Sequence, residues 1–227
     1  MPLNIAIDGP VGAGKSSIAR EVARRLNILH LDTGAMYRAV GYAALSRKIS
    51  PEDENALNVL CARVSIEVRY LDGRQQTLVD GLDVSHLIRA PEVGMAASTV
   101  SRFKAVRCHM VALQRALARE TSMVVDGRDI GTNVLPDANI KIFLTAAPEE
   151  RARRRHLELR EAGGKDTYES VLSDLIKRDM QDTTRPIDPL RPAEDAMMLD
   201  STHLNMDQVV EKILGIVEAR YGKAKER

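Results

Sequence analysis

Residues 9–16 read Gly9-Pro10-Val11-Gly12-Ala13-Gly14-Lys15-Ser16, a glycine-rich run closed by a lysine and a hydroxyl. Those types at that spacing suit phosphate. Glycines let the backbone curl so that several N–H groups face one anion. Lys15 adds a full positive charge, and the Ser16 hydroxyl can bind Mg²⁺. The flanks agree: residues 3–7 are apolar and read as a buried strand, and residues 16–26 carry Ile18, Val22 and Leu26 at helical spacing. Strand, loop and helix in that order put an anion at a helix N-terminus. A plain turn before a helix explains the glycines but not Lys15-Ser16, so the run is read as a nucleoside triphosphate site.

Four further stretches carry chemistry. Leu31-Asp32-Thr33-Gly34-Ala35-Met36-Tyr37-Arg38 follows the second strand, at the end where open α/β sheets bind ligands. Arg38 could hold an anion there, or Asp32 or Thr33 could cap a helix beside a solvated arginine. Met123-Val124-Val125-Asp126 reads as a strand whose aspartate faces a metal, often through water. Gly127-Arg128-Asp129-Ile130-Gly131 then places a charged pair between two glycines, which favours a site over a plain turn. In residues 149–155, four arginines near a helix start oppose the helix dipole, and a triphosphate would offset them. A solvated basic face is the alternative. Finally, Arg178, Asp182 and Arg185 share one helical face, which by spacing alone fits a surface salt-bridge row.

The elements that must position these residues alternate in type. Candidate strands at 3–7, 28–31, 123–125, 140–144 and 197–199 alternate with helical stretches at 37–47, 103–120, 148–161 and 206–221. That is the pattern of a parallel sheet covered on both faces. Residues 64–70 alternate with period two, turn at 71–74 and continue at 76–80, a β-hairpin; 84–87 is a candidate third strand. Residues 62–90 are therefore read as a small antiparallel insertion. Residues 181–195 read as a loop and 222–227 as a charged tail.

Composition sets bounds. The 227 residues suit one core with a smaller insertion, burying roughly 70% of the unfolded surface. Hydrophobic residues make up 44% and aromatics 3%, so the core is aliphatic and base stacking on aromatic platforms is disfavoured. The 33 basic and 32 acidic residues leave a net charge of +1, which argues against a nucleic-acid or membrane surface. Of the 33, 24 are arginine, which grips phosphate through a planar fork, although compositional bias explains the skew equally well. Cys61 and Cys108 lack metal spacing, and the five histidines are scattered. The start at Met1-Pro2-Leu3 is read as carrying no secretory signal, and no apolar run approaches ~20 residues, so a reducing cytoplasm is expected. A guanine-reading GTP switch is disfavoured, because no Asn-Lys pair occurs in the chain.

Taken in order, Ile7-Asp8-Gly9-Pro10…Gly14-Lys15-Ser16, Leu31 to Arg38, Asp126 to Gly131, Glu150-Arg151-Ala152…Arg154-Arg155 and Arg178-Asp179…Asp182…Arg185 resemble the bacterial cytidylate kinases. The resemblance spans about residues 3–219, and the insertion resembles the enlarged nucleotide-monophosphate domain of that family. Val11 and Ser17 are minor departures, and Arg153 lies outside the pattern.

The resemblance implies an α/β fold with a five-stranded parallel sheet of the P-loop kinase type, order 2-3-1-4-5. It implies core segments 1–34, 100–150 and 165–221, an acceptor segment 35–99 and a lid at about 151–164. The implied activity is phosphoryl transfer from ATP, with Mg²⁺, to CMP or dCMP in a cytoplasmic monomer. ATP is implied to contact Gly9, Pro10, Val11, Gly12, Ala13, Gly14, Lys15, Ser16 and Ser17, and the lid arginines Arg151, Arg154 and Arg155. CMP is implied to contact Thr33, Tyr37, Arg38, Ser98, Arg107, Arg128, Asp129, Arg178, Asp182 and Arg185. Of these, Arg38, Arg128 and Arg178 match the phosphate ligands, and Ser98, Arg107 and Asp129 the cytosine readers. Lys15, Arg128 and Arg154 are the implied catalytic groups, and Ser16 with Asp126, through water, the metal ligands. A P-loop kinase of another small molecule, or a non-catalytic nucleotide-binding protein, is the alternative.

Overall fold

Aliphatic runs bounded by glycine, aspartate and proline form the strands of this protein, seen in a computed structural model that describes residues 2–161 and 163–222. Among these, eight strands make two sheets. The larger is five-stranded and parallel, in the order β2-β6-β1-β7-β8, from β1 (Asn4–Asp8), β2 (Leu29–Asp32), β6 (Met123–Gly127), β7 (Ile140–Thr145) and β8 (Met197–Asp200). Counted in chain order this is 2-3-1-4-5, as expected. The smaller is antiparallel, β3 (Ile66–Leu71), β4 (Arg74–Val79) and β5 (Leu82–Asp83). The chain divides into two compact units, residues 3–28 with 124–222, and residues 29–123.

In the first unit, β1 pairs with β7 (Ile7 opposite Ile142) and β7 with β8 (Leu144 opposite Leu199), all parallel. Ile5, Ile7, Ile140, Ile142 and Leu144 bury their side chains against Ile18 and Val22 of α1 (Lys15–Leu26). Val209, Val210, Ile213 and Val217 of α8 (Met206–Val217) join the same core, as their spacing requires. A capping box between Asn205 and Gln208 starts α8. Helices α6 (Pro148–Glu161) and α7 (Tyr168–Thr184) meet through Ala152, Val171 and Leu175, with Val11 packed on them. Helix α7 runs through Thr184, so the expected loop at 181–195 begins later, at Arg185.

In the second unit, Asp32 closes β2 and caps α2 (Thr33–Ser46), accepting from the Ala35 N–H at 2.9 Å. This helix starts four residues earlier than its apolar spacing suggested, because the cap sets its start. Two helices fall outside the helical stretches assigned from sequence: α3 (Glu54–Arg63), capped by Asp53, and α4 (Pro91–Val100), with proline in its first turn. Helix α5 (Lys104–Glu120) completes the unit. The third strand of the insertion is Leu82–Asp83 rather than 84–87, and a short 3₁₀ turn follows at Leu87–Arg89.

Candidate active site

The phosphate loop joins β1 to α1. At Gly9 (φ 149°) a Cβ would lie 1.9 Å from the Leu144 carbonyl oxygen, so only glycine fits against β7. Gly14 enters α1 in the left-handed region, leaving the N–H groups of the first turn without a side-chain cap. Lys15 is buried and donates to the Pro10 carbonyl at 2.7 Å. Burial first, then the nearby Arg128 charge, pulls its pKa down to about 7, against the opposing pull of Asp126, Asp182 and Asp8. Ser16 Oγ donates to Asp126 at 2.8 Å, so the two candidate metal ligands are adjacent oxygen groups. Among the described residues no three His, Cys, Asp or Glu side chains are placed to hold a metal. Two such oxygens suit Mg²⁺, which keeps several waters and binds phosphate through few protein ligands.

Charged side chains hold this loop. Arg151, only 4% exposed, donates to the Val11 carbonyl at 2.8 Å and to Asp179 at 2.6 Å, while Asp179 accepts from the Val11 N–H at 3.1 Å. The Val11 peptide is thus gripped on both sides. Asp8, unassigned by sequence reading, accepts from the Ile130 and Gly131 N–H groups at 2.8 and 2.7 Å. Burial raises its pKa to about 6 although both N–H groups oppose that.

The charged loop after β6 is placed with the end of α7. Arg128 donates to Asp182 at 2.7 Å, and Asp129 accepts from Arg185 at 3.0 Å and from Asn133 at 3.1 Å. Burial alone would raise Asp182, but Arg128, with Arg185 and Arg178, holds it below the usual carboxylate range. The helical row therefore divides: Arg178 is exposed, Asp182 half-buried and Arg185 buried, its Nε donating to the Asp188 carbonyl at 2.6 Å. A surface salt-bridge row does not describe it.

The arginine cluster of α6 also divides. Glu150 takes both Arg153 and Arg154 at 2.8 Å, and the exposed Arg155 pairs with Glu158 at 3.1 Å. Arg154 also donates to the Ser201 carbonyl at 2.7 Å. The charge of the four arginines is thus balanced largely by carboxylates, those of Asp179, Glu150 and Glu158.

In the unit of residues 29–123, Asp32 serves as cap and ion-pair partner at once. One oxygen caps α2, and the other accepts from Arg38 at 2.9 Å. Thr33 is buried. The Arg107 guanidinium lies 5.8 Å from the Tyr37 ring centroid, which brings together two expected acceptor residues and leaves Arg107 only 2% exposed. Ser98 is half-buried on α4, which packs against α2.

Comparisons with known proteins bear on what this arrangement does. A family model described as Cytidylate kinase matches residues 5–219. The chain is 50% identical over 212 residues to a cytidylate kinase of Caldicellulosiruptor bescii, covering 93% of this chain and 94% of that one. It is 48% identical over 215 residues to a cytidylate kinase of Carboxydothermus hydrogenoformans, covering 95% and 97%. A gluconokinase structure from Sinorhizobium meliloti shares the fold, with a TM-score of 0.50 at 14% identity, covering 99% of this chain and 97% of that one.

Proposed function

The chain belongs to the cytidylate kinase family, and from that premise we propose that it moves the γ-phosphoryl group of ATP to CMP or dCMP. The observation that carries the reading is the family match across residues 5–219, on a chain whose loop buries Lys15 among three carboxylates. The acceptor oxygen is already an anion, so transfer needs alignment and charge neutralisation rather than a general base.

Each group then has a role. The loop from Gly9 to Ser17 holds the ATP phosphates through its uncommitted N–H groups, Pro10 having none and the Val11 N–H being taken by Asp179, and with the Lys15 ammonium, which stabilises charge that grows during transfer. Ser16 and Asp126, the latter through water, are the residues that would hold Mg²⁺, which with ATP supplies further charge neutralisation. Arg154 and Arg155 serve ATP from α6. Arg151 serves it through the loop peptide that it grips. Arg38, Arg128 and Arg178 take the acceptor phosphate. Ser98, Arg107, Asp129 and Arg185 read the cytosine, and Asp182 takes the sugar. Thr33 and Tyr37 support the acceptor side.

No described helix is long and apolar enough to cross a membrane. A cytoplasmic monomer acting on free nucleotides, without nucleic acid or membrane partners, completes the reading. Coupled ADP release with CMP, dCMP, UMP, AMP and shikimate tests it. CMP and dCMP should be strongly preferred. Turnover confined to AMP or shikimate, or ATP binding without turnover, would overturn it.

A further inference from the structure

The antiparallel insertion grips the corner where β2 becomes α2. Tyr70 on β3 stands directly opposite Gln75 on β4, and opposed residues in an antiparallel pair project from the same face. The Tyr70 hydroxyl donates to the His30 carbonyl at 3.2 Å. Burial pushes its phenol up to about 12, so it stays a donor at any ordinary pH. Gln75 Oε1 accepts from the Asp32 N–H at 2.7 Å, and Nε2 donates back to the Asp32 carbonyl at 3.3 Å and to Thr77 Oγ1 at 3.3 Å. A backbone N–H can only donate, which fixes the orientation of the amide. One glutamine side chain thus pairs with the Asp32 peptide on both sides, as a neighbouring strand would.

What Asp32 does makes this grip consequential. Its two carboxylate oxygens are committed to different partners, the Ala35 N–H and the Arg38 guanidinium, both at 2.9 Å. Turning the Asp32 peptide would turn the carboxylate, and the arginine with it. Arg38 Nε is buried and lacks a hydrogen-bond partner, a donor left over for a ligand. A side chain at Gly34 would come within 3.0 Å of Asp32 Oδ1 and 3.3 Å of Arg38 Nη1, so the absence of one leaves room for this bridge across the first turn.

We propose that Gln75 is a positioning residue for the acceptor: its amide fixes the Asp32 peptide, and through Asp32 it aims Arg38, with Tyr70 bracing the same corner. The inference rests on the reading of Arg38 as an acceptor-phosphate ligand. The insertion is then part of the acceptor machinery rather than an appendage to it.

The test is a double-mutant cycle in the full chain, from Gln75→Met, Arg38→Ala and the double variant. CMP is titrated at saturating ATP and ATP at saturating CMP, with thermal melting as the control for folding. Gln75→Met should raise the KM for CMP by about five- to tenfold, the effect of two hydrogen bonds lost with a half-buried N–H left unpaired. The KM for ATP and kcat should stay within about twofold. CMP, dCMP and UMP should lose affinity by the same factor, because Arg38 would contact the phosphate they share. In the Arg38→Ala background, Gln75→Met should add nothing. Tyr70→Phe, a milder change in the same corner, should raise the KM for CMP about two- to threefold and serves as the readout should Gln75→Met fail to fold.

If Arg38→Ala raises the KM for CMP while folded Gln75→Met leaves it unchanged, the inference is wrong. It is equally wrong if the two effects multiply, or if only the melting temperature moves. If Arg38→Ala itself leaves the KM for CMP unchanged, the acceptor reading has failed instead.

Discussion

In the function proposed above, two strand-to-helix corners of this protein handle phosphate by different means. After β1, the chain makes a glycine loop whose own N–H groups face the anion in that reading, and a charged pair, the buried Arg151 and the half-buried Asp179, grips the Val11 backbone. After β2, the chain passes from strand to helix with no loop, and the proposed ligand is a side chain, Arg38. There a neutral amide, Gln75, grips the Asp32 peptide. Where the backbone is itself the ligand, a small displacement misplaces several donors at once, so the loop is wedged against β7 and held by charge. Where one guanidinium is the ligand, its own flexibility absorbs small errors, and weaker hydrogen bonds suffice. The glycines repeat the contrast. Gly9 faces a backbone carbonyl at 1.9 Å, whereas Gly34 faces a carboxylate oxygen at 3.0 Å that can shift.

The sharpest way to break this comparison is to add one methyl group at each corner. Gly9→Ala forces both a backbone shift and a φ that alanine rarely adopts. It should cost about 3 kcal/mol, lower the melting temperature by roughly 6–12 °C and abolish ATP binding. Calorimetry of unfolding and of ATP binding checks it. A well-folded Gly9→Ala protein with ordinary ATP affinity would mean that the first corner is as tolerant as the second.

Arg151→Ala leaves the Asp179 carboxylate without its arginine. It should cost about 2–3 kcal/mol, below the ~3–5 kcal/mol of a fully buried pair because Asp179 is 20% exposed, and should raise the KM for ATP. The KM for CMP should move much less. Melting curves and the two substrate titrations separate these effects.

Gly34→Ala should have the smallest effect on stability, under about 1 kcal/mol, since the helical preference for alanine offsets the crowding. Its signature should be a raised KM for CMP with an unchanged KM for ATP. A large loss of stability there would remove the contrast between the corners.

The charged corner should also show a pH signature. Burial holds Lys15 at about 7 in the free protein, so at pH 8 most of the protein carries it neutral. ATP favours the ammonium form, so binding at pH 8 should take up a proton, and affinity should weaken as pH rises above 7. Titration calorimetry in buffers of different ionisation enthalpy measures this uptake, which should vanish in Lys15→Ala.

How far each corner was legible in the sequence follows from the same contrast. The phosphate loop was legible because its chemistry dictates residue types in one contiguous run, Gly9 to Ser16. Residues 31–38 were legible only as two alternatives, an anion-holding Arg38 or a helix capped by Asp32 or Thr33 beside a solvated arginine; Asp32 is the cap, and Arg38 is paired with it rather than left to solvent. Gln75, Tyr70 and Asp179 had no assigned role, because each acts on the backbone of a residue remote in sequence, and such contacts leave no local pattern. The end of α7 was missed for a local reason. Asp182, Thr183 and Thr184 favour turns, but the threonine hydroxyls donate back to the carbonyls of Asp179 and Met180, and the helix continues. Helices α3 and α4 went unassigned although their buried residues, Leu57, Leu60 and Cys61 in one and Val93, Ala96, Ala97 and Val100 in the other, recur at helical spacing; each stripe is short, and alanine and cysteine make it a weak apolar signal.

The most direct test of the division between the corners is steady-state CMP-dependent ADP release by wild type, Lys15→Ala and Arg38→Ala, titrating each substrate against saturating levels of the other. Lys15→Ala should fold normally and lose on the order of 10²–10³ in kcat. Arg38→Ala should raise the KM for CMP at least tenfold while the KM for ATP stays within about twofold. Near-normal turnover by folded Lys15→Ala, or an Arg38→Ala enzyme whose KM for ATP rises as much as that for CMP, would contradict it.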